Sequence, residues 1–83
     1  MKYSVDKTSD KPVYMQIYQL LRDDIVSGAL PGGMKLPSKR MLADELGVSV
    51  ISTEHAYAML TDEGYVTAKK RSGYYVTESG TAI

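Results

Sequence analysis

Cations gather in two short stretches of this 83-residue chain: Lys35, Lys39 and Arg40 in one, Lys69, Lys70 and Arg71 in the other. Clustered ammonium and guanidinium groups can neutralise phosphates, and they do so by their distribution, whatever the total charge. The total here is zero, ten Lys and Arg against ten Asp and Glu. Many of the acids lie apart from the basic stretches, with Asp23 and Asp24 in one segment and Asp62 and Glu63 in another. A neutral chain built this way can still present one basic face. Between the two basic stretches runs Ser49-Val50-Ile51-Ser52, two hydroxyls enclosing two aliphatic side chains, with Glu54 following. The hydroxyls can donate or accept hydrogen bonds; the aliphatic pair can only pack.

Catalytic chemistry finds little support. The chain has no cysteine and a single histidine, His55, which removes thiolate nucleophiles, thiolate metal sites and His-rich zinc sites. It also lacks a glycine-rich phosphate loop. Ser49 or Ser52 beside His55 could be drawn as a nucleophile pair, but no carboxylate stands at a spacing that would orient the imidazole, and helix capping accounts for Ser49. The chain is therefore expected not to be an enzyme and to hold no metal. With 43% hydrophobic and 24% charged residues it has an ordinary globular composition, and its length fits one small domain near the lower limit for a single apolar core. No apolar run is long enough to span a bilayer and no signal-peptide pattern opens the chain, so a cytoplasmic protein without a membrane partner is expected.

The elements that must position these residues follow from periodicity and punctuation. Residues 1–9 read as a leader arm. A first helix is predicted from near Asp10, as its cap, with Pro12 in the first turn. Val13, Ile17, Leu20, Leu21 and Ile25 form its apolar stripe, Tyr14 and Tyr18 flank that stripe, and Arg22, Asp23 and Asp24 face water. Gly28 and the Leu30-Pro31-Gly32-Gly33 run end it. Met34 to Pro37 is extended, because a residue before proline avoids the helical region. Ser38 caps a second helix, Lys39 to Leu46, with Leu42, Ala43 and Leu46 inward and Gly47 as its left-handed stop. Val48 fills the hinge. Ser49 caps a third helix running to about Glu63, whose face of Thr53, Ala56, Tyr57 and Leu60 turns inward, and Gly64 ends it.

Tyr65 to Glu78 then gives two runs rich in Tyr, Val and Thr around a basic tip ending in Ser72-Gly73, a hairpin signature. Tyr74 and Tyr75 point to opposite faces, one of them inward. Residues 10–78 thus make one domain, and Ser79 to Ile83 a frayed tail. Helix, helix, tight turn, helix, hairpin is the layout of a winged helix-turn-helix: α+β, mostly α, three helices followed by a two-stranded β-hairpin wing. A small residue at Ala43 and glycine at the hinge allow the close helix crossing that this motif needs. The third helix then projects its N-terminal turn outward, where free N–H groups and the helix dipole favour phosphate.

The segments "PVYMQIYQLLRDDIVSGAL", "LPSKRMLADELGVS", "AYAMLTDEGYV" and "RSGYYV" resemble the DNA-binding domain of GntR-type bacterial transcription regulators over about Lys11 to Thr77. The "DEGYV…RSGYYV" spacing with "EHAYAML" is most similar to the MocR subgroup, and a YtrA-like subgroup is the runner-up. The resemblance implies a double-stranded DNA operator as partner and a homodimer in the full-length protein. It places Ser38, Lys39 and Arg40 on phosphates, Ser49, Val50, Ile51 and Ser52 in the major groove, and the wing tip Lys70, Arg71, Ser72 and Gly73 at the adjacent minor groove. In the MocR subgroup this domain precedes a large aminotransferase-related domain that binds pyridoxal phosphate. The chain is then expected to be the N-terminal portion of a longer protein, with no cofactor in this segment and pyridoxal phosphate in a C-terminal domain outside it.

One departure changes the expected chemistry. Many relatives carry arginine at the positions of Val50 and Glu54. Val50 and Ile51 cannot hydrogen-bond guanine, but an aliphatic group packs well on a thymine methyl, and Glu54 can accept from cytosine N4 or repel a loosely docked backbone. Readout of a T-containing step by apolar contact is the expectation. The alternative is a winged helix used as a protein-interaction module, with Val50 and Ile51 as its exposed apolar surface.

Overall fold

Helical periodicity becomes three helices in the computed structural model, which describes residues 3–78: α1 (Val13–Ser27), α2 (Lys39–Leu46) and α3 (Val50–Asp62). Two strands follow, β1 (Val66–Lys69) and β2 (Gly73–Val76), paired antiparallel with Val66 opposite Val76 and Lys69 opposite Gly73. The third helix is central, packing against α1, α2 and β1. Its inward face is the one the sequence marks, since Thr53, Ala56, Tyr57 and Leu60 are all buried. Ile17 and Leu21 of α1, Leu42 of α2, Leu36 and the two strand valines close the core around it.

The beginning of α1 differs from expectation. Asp10 does not cap it; Pro12 occupies the cap position with no side-chain bond, and the helix starts at Val13. The chain before it is fastened in another way. The Gln16 amide reaches back, donating to the carbonyls of Asp6 and Lys11 (2.9 Å each) and accepting from the Asp6 N–H at 2.8 Å. Asp6 in turn takes the N–H and hydroxyl of Thr8, and these bonds to Thr8 hold its carboxyl below the usual range. The leader arm therefore lies on the helical body. Tyr3 and Val5 pack against the core, and the Tyr3 hydroxyl donates to Asp24, an acid expected to face water. Tyr18, expected only to flank the stripe, is buried, whereas Leu20 is half-buried. The hydroxyl of Tyr18 explains its burial, because it reaches out to the Glu63 carboxylate at the far end of α3. The expected frayed tail, Ser79 to Ile83, lies outside the described residues, as do Met1 and Lys2.

The hairpin has a neighbour that the sequence did not announce. The extended stretch before Pro37 lies along the free edge of β2: Leu36 N–H donates to the Tyr74 carbonyl, and Val76 N–H to that of Met34, each at 2.8 Å. Lys35 stands opposite Tyr75 in this antiparallel bridge. The link between α1 and α2 is thereby tied to the wing, so the start of α2 and the wing tip belong to one frame.

Candidate nucleic-acid interface

Local capping sets the helix-turn-helix. Ser38 accepts the Met41 N–H at 3.1 Å, and Ser49 accepts the Ser52 N–H at 3.2 Å, each satisfying a donor that the first helical turn leaves free. Between them Gly47 takes the left-handed conformation, φ 67°, that ends α2. Ala43 is buried at the crossing, and its carbonyl accepts from Val48 N–H at 3.0 Å, closing the hinge. The two helices are joined through Thr53, fully buried, whose hydroxyl lies 2.8 Å from the Lys39 carbonyl and 2.9 Å from that of Val50.

This frame presents the first turn of α3 outward. Ile51 is 75% exposed. Val50 is half-buried and is not part of the core cluster, so of the expected exposed pair only Ile51 stands fully open. The hydroxyls of Ser49 and Ser52 lie 3.1 Å apart and bond each other. Each hydroxyl retains further hydrogen-bonding capacity for an incoming group. Along α3 the outward stripe continues through Glu54, His55 and Ala58, all exposed. His55 is a surface residue, its ring stacked on Tyr14 of α1 at 3.8 Å and 8°.

The wing tip turns at Lys69–Ser72, closed by Ser72 N–H donating to the Lys69 carbonyl at 3.0 Å. Lys70, Arg71 and Ser72 are exposed. Arg71 occupies the left-handed region, φ 66°, a conformation that glycine or asparagine usually fills. Tyr75 supports this tip, its hydroxyl 2.5 Å from Ser72 Oγ and its ring 4.5 Å beneath the Lys69 ammonium. Its neighbour Tyr74 turns the other way, against Tyr57. Ser38 and Met41 at the start of α2 share one open cleft with Ser72 and Gly73 of the wing, with Lys35 at its side. Residues thirty-odd positions apart in sequence are thus on one face.

Of the expected phosphate contacts, Arg40 is exposed and Ser38 is exposed while capping α2. Lys39 is occupied: its ammonium lies 2.5 Å from the Glu54 carboxylate. That hydrogen bond, then the charge attraction, pulls the Glu54 carboxyl below its ordinary range and pushes the Lys39 ammonium above its own. Glu54 is therefore not a lone surface charge, since one of its carboxylate oxygens is held by Lys39. Lys35 and Lys69, legible in the sequence as clustered cations, are brought together by the fold around Tyr75, the outward member of the tyrosine pair: Lys35 stands opposite it in the bridge and the Lys69 ammonium lies over its ring.

Three helices with a tight α2–α3 turn, and a hairpin whose tip sits beside the start of α2, define a winged helix-turn-helix. The family model for bacterial regulatory proteins of the gntR family matches residues 13–76, and the chain belongs to that family, as one of its DNA-binding domains. It is 42% identical over 71 residues to YdeL of Bacillus subtilis, an uncharacterized HTH-type transcriptional regulator, covering 86% of this chain and 15% of that protein. It is 38% identical over 72 residues to MocR of Rhizobium meliloti, named as a probable rhizopine catabolism regulatory protein, covering 87% of this chain and 15% of that one. Among solved structures, YtrA of Sulfolobus acidocaldarius, a GntR-family transcription factor, superposes with a TM-score of 0.80 at 41% identity, covering 90% of this chain and 63% of the other. The DNA-binding domain of AraR, solved in complex with operator ORX1, shares the fold at 22% identity and a TM-score of 0.80, over 90% of this chain and 95% of that domain. The chain spans only about 15% of the length of the first two relatives.

Proposed function

We propose that this domain reads operator DNA through one continuous face. The first turn of α3, Ser49 to Ser52, enters the major groove, and the wing tip, Lys70 to Gly73, lies at the neighbouring minor groove. Ser38 and Arg40 meet phosphates between them. The observation that carries this reading is the shared cleft of Ser38, Met41, Ser72 and Gly73, which holds the α2 start and the wing tip on one side of the molecule. A winged-helix domain of the same fold, that of AraR, has been solved on its operator, which supports the general docking mode.

Val50 and Ile51 read a thymine methyl by packing, and the wing supplies charge without sequence preference. The test uses a duplex selected from a randomised pool by the protein. Thymine replaced by uracil at each position should cost about 1 kcal/mol at one or more of them. Lys70→Ala with Arg71→Ala should weaken binding to all sequences alike, whereas Val50→Ala should change the order of preference. A log–log salt slope near about −4 is expected from four or five neutralised phosphates. Binding that ignores salt would point instead to a protein partner on the Val50–Ile51 surface.

In the full-length regulator we place two copies of this domain on two half-sites, since one small domain buries too little surface for tight specific binding. The effector then binds outside this chain, pyridoxal phosphate included if the likeness to MocR extends to the whole protein. The domain acts in the cytoplasm by binding, without catalysis of its own. Among the described residues no helix is long and apolar enough to cross a membrane.

A further inference from the structure

The start of α2 and the second turn of α3 are joined at two levels. In the interior the Thr53 hydroxyl reaches the Lys39 carbonyl. At the surface, directly beside it in sequence, Glu54 holds the Lys39 ammonium. The two charged side chains are 36% and 54% exposed, so as a stabilising bond the pair contributes little. Its position is what matters. Glu54 lies on the outward stripe of α3, one helical turn after Ile51, and it withdraws one cation from the α2 side of the face that approaches phosphate.

We infer that Glu54 is a selectivity residue, which keeps Lys39 from phosphates until a correctly seated duplex displaces it. This rests on reading α3 as the DNA-contacting helix. On an ill-fitting duplex the Lys39–Glu54 pair stays closed and adds no net positive charge. If Lys39 leaves the pair there, the bared carboxylate faces a phosphate backbone and repels it. On a well-fitting duplex a phosphate comes close enough to take Lys39, and Glu54 turns to a base-edge donor such as cytosine N4, whose hydrogen bond replaces the one given up. Charge that attracts every duplex is thereby made conditional on fit. The zero net charge of the chain is consistent with such restraint, because general attraction is kept low.

The experiment compares wild type, Glu54→Gln, Lys39→Ala and the double variant on two probes: a duplex selected from a randomised pool by the wild-type chain, and the same duplex with its sequence shuffled. Glu54→Gln should tighten binding to the shuffled duplex about three- to fivefold and to the selected duplex much less. The log–log salt slope on the shuffled duplex should steepen by about 0.9, one more phosphate neutralised. Adding Lys39→Ala should erase both gains. The inference is overturned if Glu54→Gln tightens both probes equally, if it changes neither, or if the gain survives Lys39→Ala. In those cases wild-type preference for the selected duplex would still stand, and with it the reading of α3. A wild-type chain that binds neither probe would overturn both.

Discussion

Tyr57, fully buried in the middle of α3, donates its phenolic hydrogen to the carbonyl of Pro37 at 2.6 Å. Pro37 is the residue before the Ser38 cap, so this bond sets where α2 begins relative to α3. The same ring packs against Tyr74 of β2, with centroids 4.5 Å apart and planes at 48°. One side chain therefore touches all three parts of the proposed interface: the reading helix, the phosphate-facing helix start and the wing.

Removing only that hydroxyl should be measurable. Tyr57→Phe keeps the ring and leaves the Pro37 carbonyl, on a half-buried residue, without this donor. A loss of about 1–2 kcal/mol is expected, read as a lower urea midpoint with an unchanged slope. Tyr57→Ala removes the ring as well and should cost about 3–5 kcal/mol, enough to unfold much of so small a domain.

Alkaline pH should act through the same group. Burial pushes the phenols of Tyr57 and Tyr3 above the ordinary range, and for Tyr18 the larger cause is its hydrogen bond to Glu63. For each, the folded state holds the proton more tightly than the unfolded state does. Their contribution to stability is complete below the unfolded phenol pKa of about 10 and is lost as pH rises beyond it towards the folded values. The urea midpoint should be flat with respect to these groups up to about pH 9 and fall above about pH 10. In Tyr57→Phe that alkaline fall should be shallower. An equally steep fall would mean that the Tyr57 phenol is not held protonated by the fold.

What could be read from the chain was local, and what could not was set by pairing across elements. Ser38, Gly47 and Ser49 act within one turn of their own position, so their capping roles followed from residue type and spacing. The buried face of α3 followed from its period. The start of α1 did not: Pro12 takes the cap position, and the arm before it is held by Gln16 reaching back to Asp6 and Lys11. Neither did the Lys39–Glu54 pair, whose partners stand fifteen residues apart and meet only because α2 and α3 cross there. Lys35 was legible as one of the clustered cations in an extended stretch, but only its pairing opposite Tyr75 puts it beside the wing.

The polar tie between the two helices of the turn can be tested at Thr53. Thr53→Val nearly keeps the volume but removes the hydroxyl shared between the Lys39 and Val50 carbonyls. A buried acceptor then loses its donor, at a cost of about 1–2 kcal/mol. Because the Lys39 backbone is one end of this tie, amide hydrogen exchange should also speed up in the first turn of α2. Destabilisation without that local change would assign Thr53 to packing alone.

At the wing tip, stability and binding should move in opposite directions. Arg71 sits at φ 66°, where a side chain with a Cβ costs about 1–2 kcal/mol relative to glycine. Part of the relief is offset because glycine also frees the unfolded chain, by about 0.4–1 kcal/mol. Arg71→Gly should therefore raise stability by about 0.5–1 kcal/mol while removing one cation from the tip. Its binding should weaken on selected and shuffled duplexes by the same factor, and the log–log salt slope should become shallower by about 0.9. Arg71→Ala keeps the strain and loses the charge, so it should show the same binding defect with no gain in stability. Arg71→Lys keeps both the strain and the charge and should leave both measurements near wild type. If Arg71→Gly proves less stable than Arg71→Ala, the turn does not hold this residue under strain, and the cation stands at the tip at no conformational cost.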